Sequence, residues 1–303
     1  MTGLRPAGPI QQRQLRGARI WFDRGSAKLR PNTEFVPDGW VASSISVVSA
    51  GTELRQLTAT QTGPPRPAGY MAMAVTGGQT LVAPVSHGAP FDPRGSGILS
   101  APLGPRIAAL ARFQLMAALG LDVAPSPHAE DVPVVVGSGT VALGCALELR
   151  RRGARHIRLL TARRQAAAAE LPWVEVRERV EPGAASLVLE CSGRRTGDAI
   201  RAAGECATVG LLGTPHPGSV LDAERAHRSS LRLLGMHELA GHDDASRQHA
   251  FAEVAGWLDR NVEPALLDNW CNVVPGSCAP ALYRALQAGR RPSAPLLLLE
   301  WAP

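Results

Sequence analysis

The chain is short of several features, and each shortage removes a class of function. No apolar run approaches the ~20 residues that a membrane-spanning helix needs. The stretch from Met1 to Arg19 is polar and Arg-dotted, without the apolar centre of a secretory signal. Roughly its first 15 residues read as a loose arm. The five cysteines, Cys145, Cys191, Cys206, Cys271 and Cys278, are odd in number and contain no Cys-x-x-Cys. Two of them, Cys191 and Cys206, fall in or beside apolar runs, a pattern that fits reduced thiols in a cytoplasmic protein. No internal repeat or long low-complexity tract is present. Lysine is almost missing: Lys28 is the only one, so the 32 basic residues are nearly all arginine. They exceed the 26 acidic ones, giving a net charge of +6. The excess is dispersed, however, and the runs Arg150-Arg151-Arg152 and Arg290-Arg291 lack interleaved aromatics for stacking bases. Neither nucleic acid nor a membrane is expected as a partner.

What is present is most informative at residues 132–144, Val-Pro-Val-Val-Val-Gly-Ser-Gly-Thr-Val-Ala-Leu-Gly. The apolar run Val134 to Val136 ends in Gly137-Ser138-Gly139-Thr140-Val141-Ala142, and a helix-prone stretch, Leu143 to Arg151, follows. Strand, glycine turn, helix and second strand in that order form the dinucleotide-binding pattern. Gly137 allows the tight turn, Gly139 admits the pyrophosphate to the backbone, and small Ala142 lets helix pack on strand. The free N–H groups at Thr140 and Val141, with the helix dipole, would hold the diphosphate.

The second strand, Ile157 to Leu160, bears on which dinucleotide binds. Enzymes that use NAD place an acidic residue about 20 residues past the glycines, for the ribose diol. This chain has Thr161-Ala162-Arg163-Arg164 there. A hydroxyl and two guanidiniums suit a 2′-phosphate, because arginine offers phosphate a bidentate fork. NADP(H) is therefore expected, with NAD(H) as the less favoured alternative. The arginine-rich composition weakens the inference but does not explain the missing carboxylate.

The rest of the chain alternates in a consistent way. Ala18 to Phe22, Lys28 to Arg30, Trp40 to Val48 and Gln79 to Pro84 read as strands of a compact β-rich domain. Pro102 to Leu121 carries apolar residues at helical spacing, and Pro125-Ser126-Pro127 marks a linker. Strands are expected at Ser186 to Glu190, Ala207 to Leu212 and Leu231 to Leu234. Helices are expected at Thr196 to Ala203, Asp244 to Arg260 and Cys278 to Gln287, and a last strand at Pro295 to Trp301. Strand–helix alternation after residue 132 calls for a doubly wound parallel sheet.

This layout resembles the medium-chain dehydrogenase/reductase superfamily over nearly the whole chain. Val48-Ser49-Ala50-Gly51-Thr52-Glu53-Leu54-Arg55 is similar to the S-x-G-T-E signature of a short branch that includes bacteriochlorophyllide dehydrogenase-like proteins. Gly69-Tyr70, Gly78-Gln79-Thr80-Leu81-Val82, Ser86-His87, Glu190-Cys191-Ser192-Gly193 and Val209-Gly210 follow in the order of that branch. The resemblance implies an α/β protein: a GroES-like β-rich catalytic domain at 1–124, completed by 264–303, around a Rossmann domain at 125–263. It also implies a dimer through the last Rossmann strand. Ser192, Gly193, Val209, Gly210, Leu211, Met236 and His237 match segments that line the cofactor.

Departures from the zinc-dependent members matter for chemistry. The positions of two zinc ligands hold Ala50 and Tyr70, and no Cys, His, Asp or Glu lies between Ile98 and Leu121, where the third should fall. A catalytic zinc needs three protein ligands, so no metal is expected. By resemblance Thr52 takes the family's hydroxyl position near the nicotinamide, and Tyr70 points into the same cleft, where a phenol could hydrogen-bond a substrate oxygen. His87 is a further candidate acid or relay, and Glu53 and Arg55 could orient the group. Phe113 and the tail near Trp270 would complete the pocket.

Three functions remain open. One is a zinc-independent NADPH-dependent reductase acting on a conjugated C=C or a carbonyl of a small molecule. The arginine-, alanine- and proline-heavy composition associates it with bacterial specialised metabolism. The second is an alcohol/ketone dehydrogenase using NAD(P). The third is a dinucleotide-binding protein without catalysis.

Overall fold

The computed structural model describes residues 12–124, 130–163, 165–179 and 181–302. The linker at Pro125-Ser126-Pro127, Arg164 and the first 11 residues of the expected arm lie outside them. In chain order the elements begin with β1 (Gln12–Asp23), β2 (Ser26–Pro37), β3 (Ile45–Val48), α1 (Ala50–Ala59), β4 (Arg66–Pro67), β5 (Ala72–Thr76) and β6 (Gln79–Ala83). Next come β7 (Leu99–Ala101), α2 (Pro105–Leu121), β8 (Val134–Val136), α3 (Thr140–Arg151), β9 (Ile157–Leu160) and β10 (Val174–Arg177). Then follow β11 (Ala185–Glu190), α4 (Thr196–Ala202), β12 (Ala203–Leu211), α5 (Ala223–Arg228), β13 (Arg232–Gly235) and α6 (Asp244–Asn261). The last are α7 (Pro264–Trp270), β14 (Cys271–Pro275), α8 (Ala279–Gln287) and β15 (Leu296–Glu300).

These elements form two compact units. The first holds the described residues of Met1–Ile98, Val273–Arg291 and Leu297–Pro303. Its strands β15, β3, β5 and β6 pair antiparallel in that order. Beside them runs a long hairpin, β1 with β2, in continuous register from Gln12↔Pro37 to Asp23↔Ser26. Gln12 to Leu15, expected in a loose arm, are thus the first paired residues of β1. Alternation explains the hairpin's anchored end: Ile20 and Phe22 point inward and are fully buried. They meet Leu57 of α1, Tyr283 and Leu286 of α8, and Leu297 and Leu299 of β15. The rings of Phe22 and Tyr283 meet edge to face at 5.1 Å, a favoured aromatic geometry.

The second unit holds the described residues of Leu99–Asn272 and Pro292–Leu296. Its six strands run in the order β10-β9-β8-β11-β12-β13. Every neighbouring pair is parallel. Numbered from β8, that order is 3-2-1-4-5-6, the Rossmann arrangement. Val134, Val136, Val188 and Val209 fill its core with Ala199 and Ala202 of α4. Such β-branched runs are what a sheet covered on both faces requires. Helix α2 belongs to this unit and is buried along nearly its whole length after the first turn. No helix among the described residues is long and apolar enough to cross a membrane.

Candidate functional site

In the second unit the glycine turn sits at the C-terminal end of β8, the first strand of the Rossmann order. Gly137 has φ +134°, a backbone conformation that side chains disfavour, and its N–H donates to the Leu160 carbonyl at the end of β9. Gly139 is the N-cap of α3 and no side chain caps that helix. Gly139, Thr140 and Val141 are half-buried, and Ala142 is buried against the sheet. The Thr140 hydroxyl donates to the Pro295 carbonyl at 3.1 Å. A helix start that is uncapped and edged by glycine offers backbone donors to an anion. The residues fit a dinucleotide diphosphate.

The neighbouring turn after β11 is built around a buried carboxylate. Glu190 is 0% exposed. Its Oε1 accepts the N–H of Ser192 at 2.9 Å and its Oε2 accepts the N–H of Gly193 at 2.8 Å. The Ser192 hydroxyl also donates to Oε1. The carbonyl of Glu190 accepts the N–H groups of Leu212 and Gly213. Ser192 and Gly193, expected at the cofactor, are therefore fixed from below by Glu190. Cys191 donates to Cys145 across 3.4 Å. That bond and burial hold the Cys191 thiol protonated, its pKa raised well above the ordinary value, so it is no ready nucleophile.

Other expected contacts divide into open and occupied groups. Val209 and Gly210 lie inside the β12 ladder between β11 and β13. The Leu211 carbonyl accepts the Met236 N–H at 3.1 Å, and Met236 is buried. His237 is exposed. Beside it Glu238 receives a two-pronged ion pair from Arg112 of α2, which fixes the 236–238 segment. Thr161 is buried, and its hydroxyl oxygen accepts the Arg163 N–H at 3.1 Å. The Arg163 guanidinium donates to the Pro292 carbonyl. Phe113 and Trp270, expected in a pocket, are core residues, 1% and 0% exposed.

In the first unit Glu53 and His87 come together, with a partner the sequence did not suggest. Glu53, His87 and Tyr283 are each 0% exposed. His87 Nε2 lies 3.0 Å from Glu53 Oε2 and 3.1 Å from the Tyr283 hydroxyl. The Tyr283 hydroxyl donates to the same Oε2. Glu53 Oε1 accepts the N–H of Ser49, the N-cap of α1, at 2.8 Å, as in a capping box. An ionised carboxylate only accepts, so Nε2 carries the imidazole proton. His87 Nδ1 has no partner among the described residues. Burial, and then the Glu53 carboxylate, push the Tyr283 phenol well above its usual pKa.

This cluster underlies the two residues expected at the substrate. Thr52 stands next to Glu53 in the first turn of α1 and is half-buried. Tyr70, also half-buried, follows Gly69. Gly69 has φ +82°, and a Cβ on it would fall 2.5 Å from the His87 ring; only glycine admits that contact. Tyr283 could have been flagged from composition, since the chain has only two tyrosines. Arg55 is half-buried on α1. Among the described residues no three His, Cys, Asp or Glu side chains are grouped to hold a metal ion.

The chain thus carries an all-parallel Rossmann unit and an antiparallel, GroES-like β unit. Solved structures resemble it. Galactitol-1-phosphate dehydrogenase from Escherichia coli matches with TM-score 0.73 at 13% identity, over 93% of this chain and 99% of that one. Acetophenone reductase from Geotrichum candidum, in complex with NAD, matches with TM-score 0.70 at 14% identity, over 94% and 97%. The yhdH oxidoreductase from Salmonella enterica, in complex with NADP, matches with TM-score 0.66 at 15% identity, over 94% and 99%. At such identities the likeness is one of fold. No family model matches the chain, and no curated protein matches it.

Proposed function

We propose that this protein is a zinc-independent oxidoreductase that uses NADPH to reduce an activated small molecule, a conjugated alkene or a carbonyl compound. One observation carries the reading: the Gly137-Ser138-Gly139 turn ends the first strand of a 3-2-1-4-5-6 parallel sheet and opens into an uncapped helix. That is where such sheets bind dinucleotides. Bound there, the reduced nicotinamide supplies a hydride. Gly137, Gly139, Thr140, Val141 and Ala142 would hold the diphosphate, with Ser192 and Gly193 alongside. The preference for NADPH is supported by the lack of a carboxylate at 161–163 and by Thr161 and Arg163 in its place.

The chain's own residues would manage the substrate oxygen. Tyr70 hydrogen-bonds that oxygen and donates the proton as negative charge develops, and Thr52 orients it. His87 and Glu53, being sealed in the core, hold these two in position. Without a metal Lewis acid an alkene conjugated to a carbonyl is the easier acceptor, because its enolate is resonance-stabilised. Ala50 and Tyr70 at the places of zinc ligands support that preference.

The test is a fluorescence titration of the purified protein with NADPH and NADH, followed by a screen of enones and ketones for nucleotide oxidation. Binding of NADPH and consumption of an enone with its carbonyl retained supports the reading. A product alcohol moves it to ketone reduction, and nucleotide binding without hydride transfer to any acceptor leaves a non-catalytic binder. In the active protein Tyr70→Phe should lower kcat about 10²-fold with nucleotide affinity intact.

A further inference from the structure

Of the two arginines that the sequence placed at the cofactor's ribose, Arg164 lies outside the described residues and Arg163 spends one donor on the Pro292 carbonyl. A different arginine faces the same strand end. Arg195, the N-cap residue of α4, follows the β11 turn in sequence. From there its Nη1 donates to the carbonyl of Leu160, the last residue of β9, at 3.2 Å. The same carbonyl receives the Gly137 N–H. The side chain therefore reaches from the N-cap of α4, after β11, to the last residue of β9, directly before Thr161. Its Nε donates to Asp198 at 2.7 Å, and Asp198 also receives Arg201 at 3.2 Å. Two cations share one carboxylate, so a positive charge remains. Arg195 Nη2 has no hydrogen bond among the described residues, and the side chain is 30% exposed.

We infer that Arg195 binds the 2′-phosphate of the dinucleotide and sets the choice of NADPH over NADH. The inference rests on the dinucleotide reading above and adds a residue to it. Two nitrogens of the guanidinium are fixed and one is open, so the donor is oriented before the ligand arrives. Little side-chain freedom is then lost on binding, which is how a fork-shaped cation gains over a flexible one. The site would take a phosphomonoester dianion attached to a ribose.

The experiment compares wild type, Arg195→Ala and Arg195→Lys, each titrated with NADPH, NADH and 2′,5′-ADP. In Arg195→Ala the affinities for NADPH and 2′,5′-ADP should fall about tenfold or more, as expected for a lost hydrogen bond to a charged group. NADH affinity should stay within about twofold in all three proteins, which also certifies the fold. Arg195→Lys should recover part of the loss, since charge persists without the fork. Wild type binding NADPH selectively, with an unchanged NADPH/NADH ratio in Arg195→Ala, overturns the role of Arg195 and leaves the function standing. Wild type preferring NADH overturns the 2′-phosphate assignment alone. If wild type binds none of the three, the dinucleotide reading itself has failed.

Discussion

Two buried carboxylates show how the two units differ. The Glu190 carboxylate, in the second unit, accepts from groups two and three residues ahead of it in sequence, the Ser192 and Gly193 N–H groups and the Ser192 hydroxyl. Glu53, in the first unit, bonds one nearby N–H, at Ser49, and two side chains far along the chain, His87 and Tyr283. The one shapes a turn and the other ties α1, the segment before Gly88 and α8 into a single core. A local network can lose its centre and let water in, because Ser192 is already exposed. A long-range network with 0% exposed members has no water to fall back on.

That contrast predicts a crossing of effects. The largest loss of stability should come from Glu53→Ala, which strands the His87 Nε2–H, the Tyr283 hydroxyl and the Ser49 N–H together. We expect about 3 kcal/mol or more, read as a drop in the urea midpoint. A shift below about 1 kcal/mol would show that the cluster contributes no net stability. Glu190→Ala should cost less, about 1–2 kcal/mol. Its larger effect falls on binding: a nucleotide Kd raised about tenfold, since the freed Ser192–Gly193 turn borders Gly137. Equal stability losses with unchanged nucleotide affinity would erase the distinction between the two networks.

The smallest effect is confined to alkaline pH. The Tyr283 phenol has a folded pKa raised above its unfolded value of about 10. Its contribution is fully present below that pH and declines as pH rises toward the folded value, because the unfolded chain releases the proton first. The decline is at most about 1.4 kcal/mol per pH unit. Tyr283→Phe should be less stable than wild type at pH 8, where the hydroxyl bond is lost, and should lose stability less steeply above pH 10. Parallel curves for the two proteins would show that the phenol does not sense Glu53.

Much of the second unit was legible because its signals are local. Val134 to Val136, the Gly137 and Gly139 turn and the helix after it follow each other directly, and the structure places β8 and α3 there, with α3 starting at Thr140 rather than Leu143. The first unit was less legible. Helix α1 was not expected, since Ala50-Gly51-Thr52 opens it with weak helix formers; it is held by the Glu53 cap and by Leu57 in the core. The strand expected over Trp40 to Val48 is regular only from Ile45, while Val41 forms an isolated bridge with Phe91. Strand β5, Ala72–Thr76, went unread because its Ala-Met-Ala start lacks β-branched residues.

The sequence by itself determined the dinucleotide pattern, the Rossmann alternation and the residue types present at Thr52, Tyr70 and Thr161, because each depends on spacing along the chain. Only the tertiary structure decided which side chains share a site. It joined Glu53 and His87 to Tyr283, 230 positions from Glu53. It turned Arg163 to the Pro292 carbonyl and brought Arg195 to the end of β9. A local turn is chosen by its own backbone preferences, whereas a buried hydrogen bond or ion pair forms only after distant segments have closed on one another and excluded water.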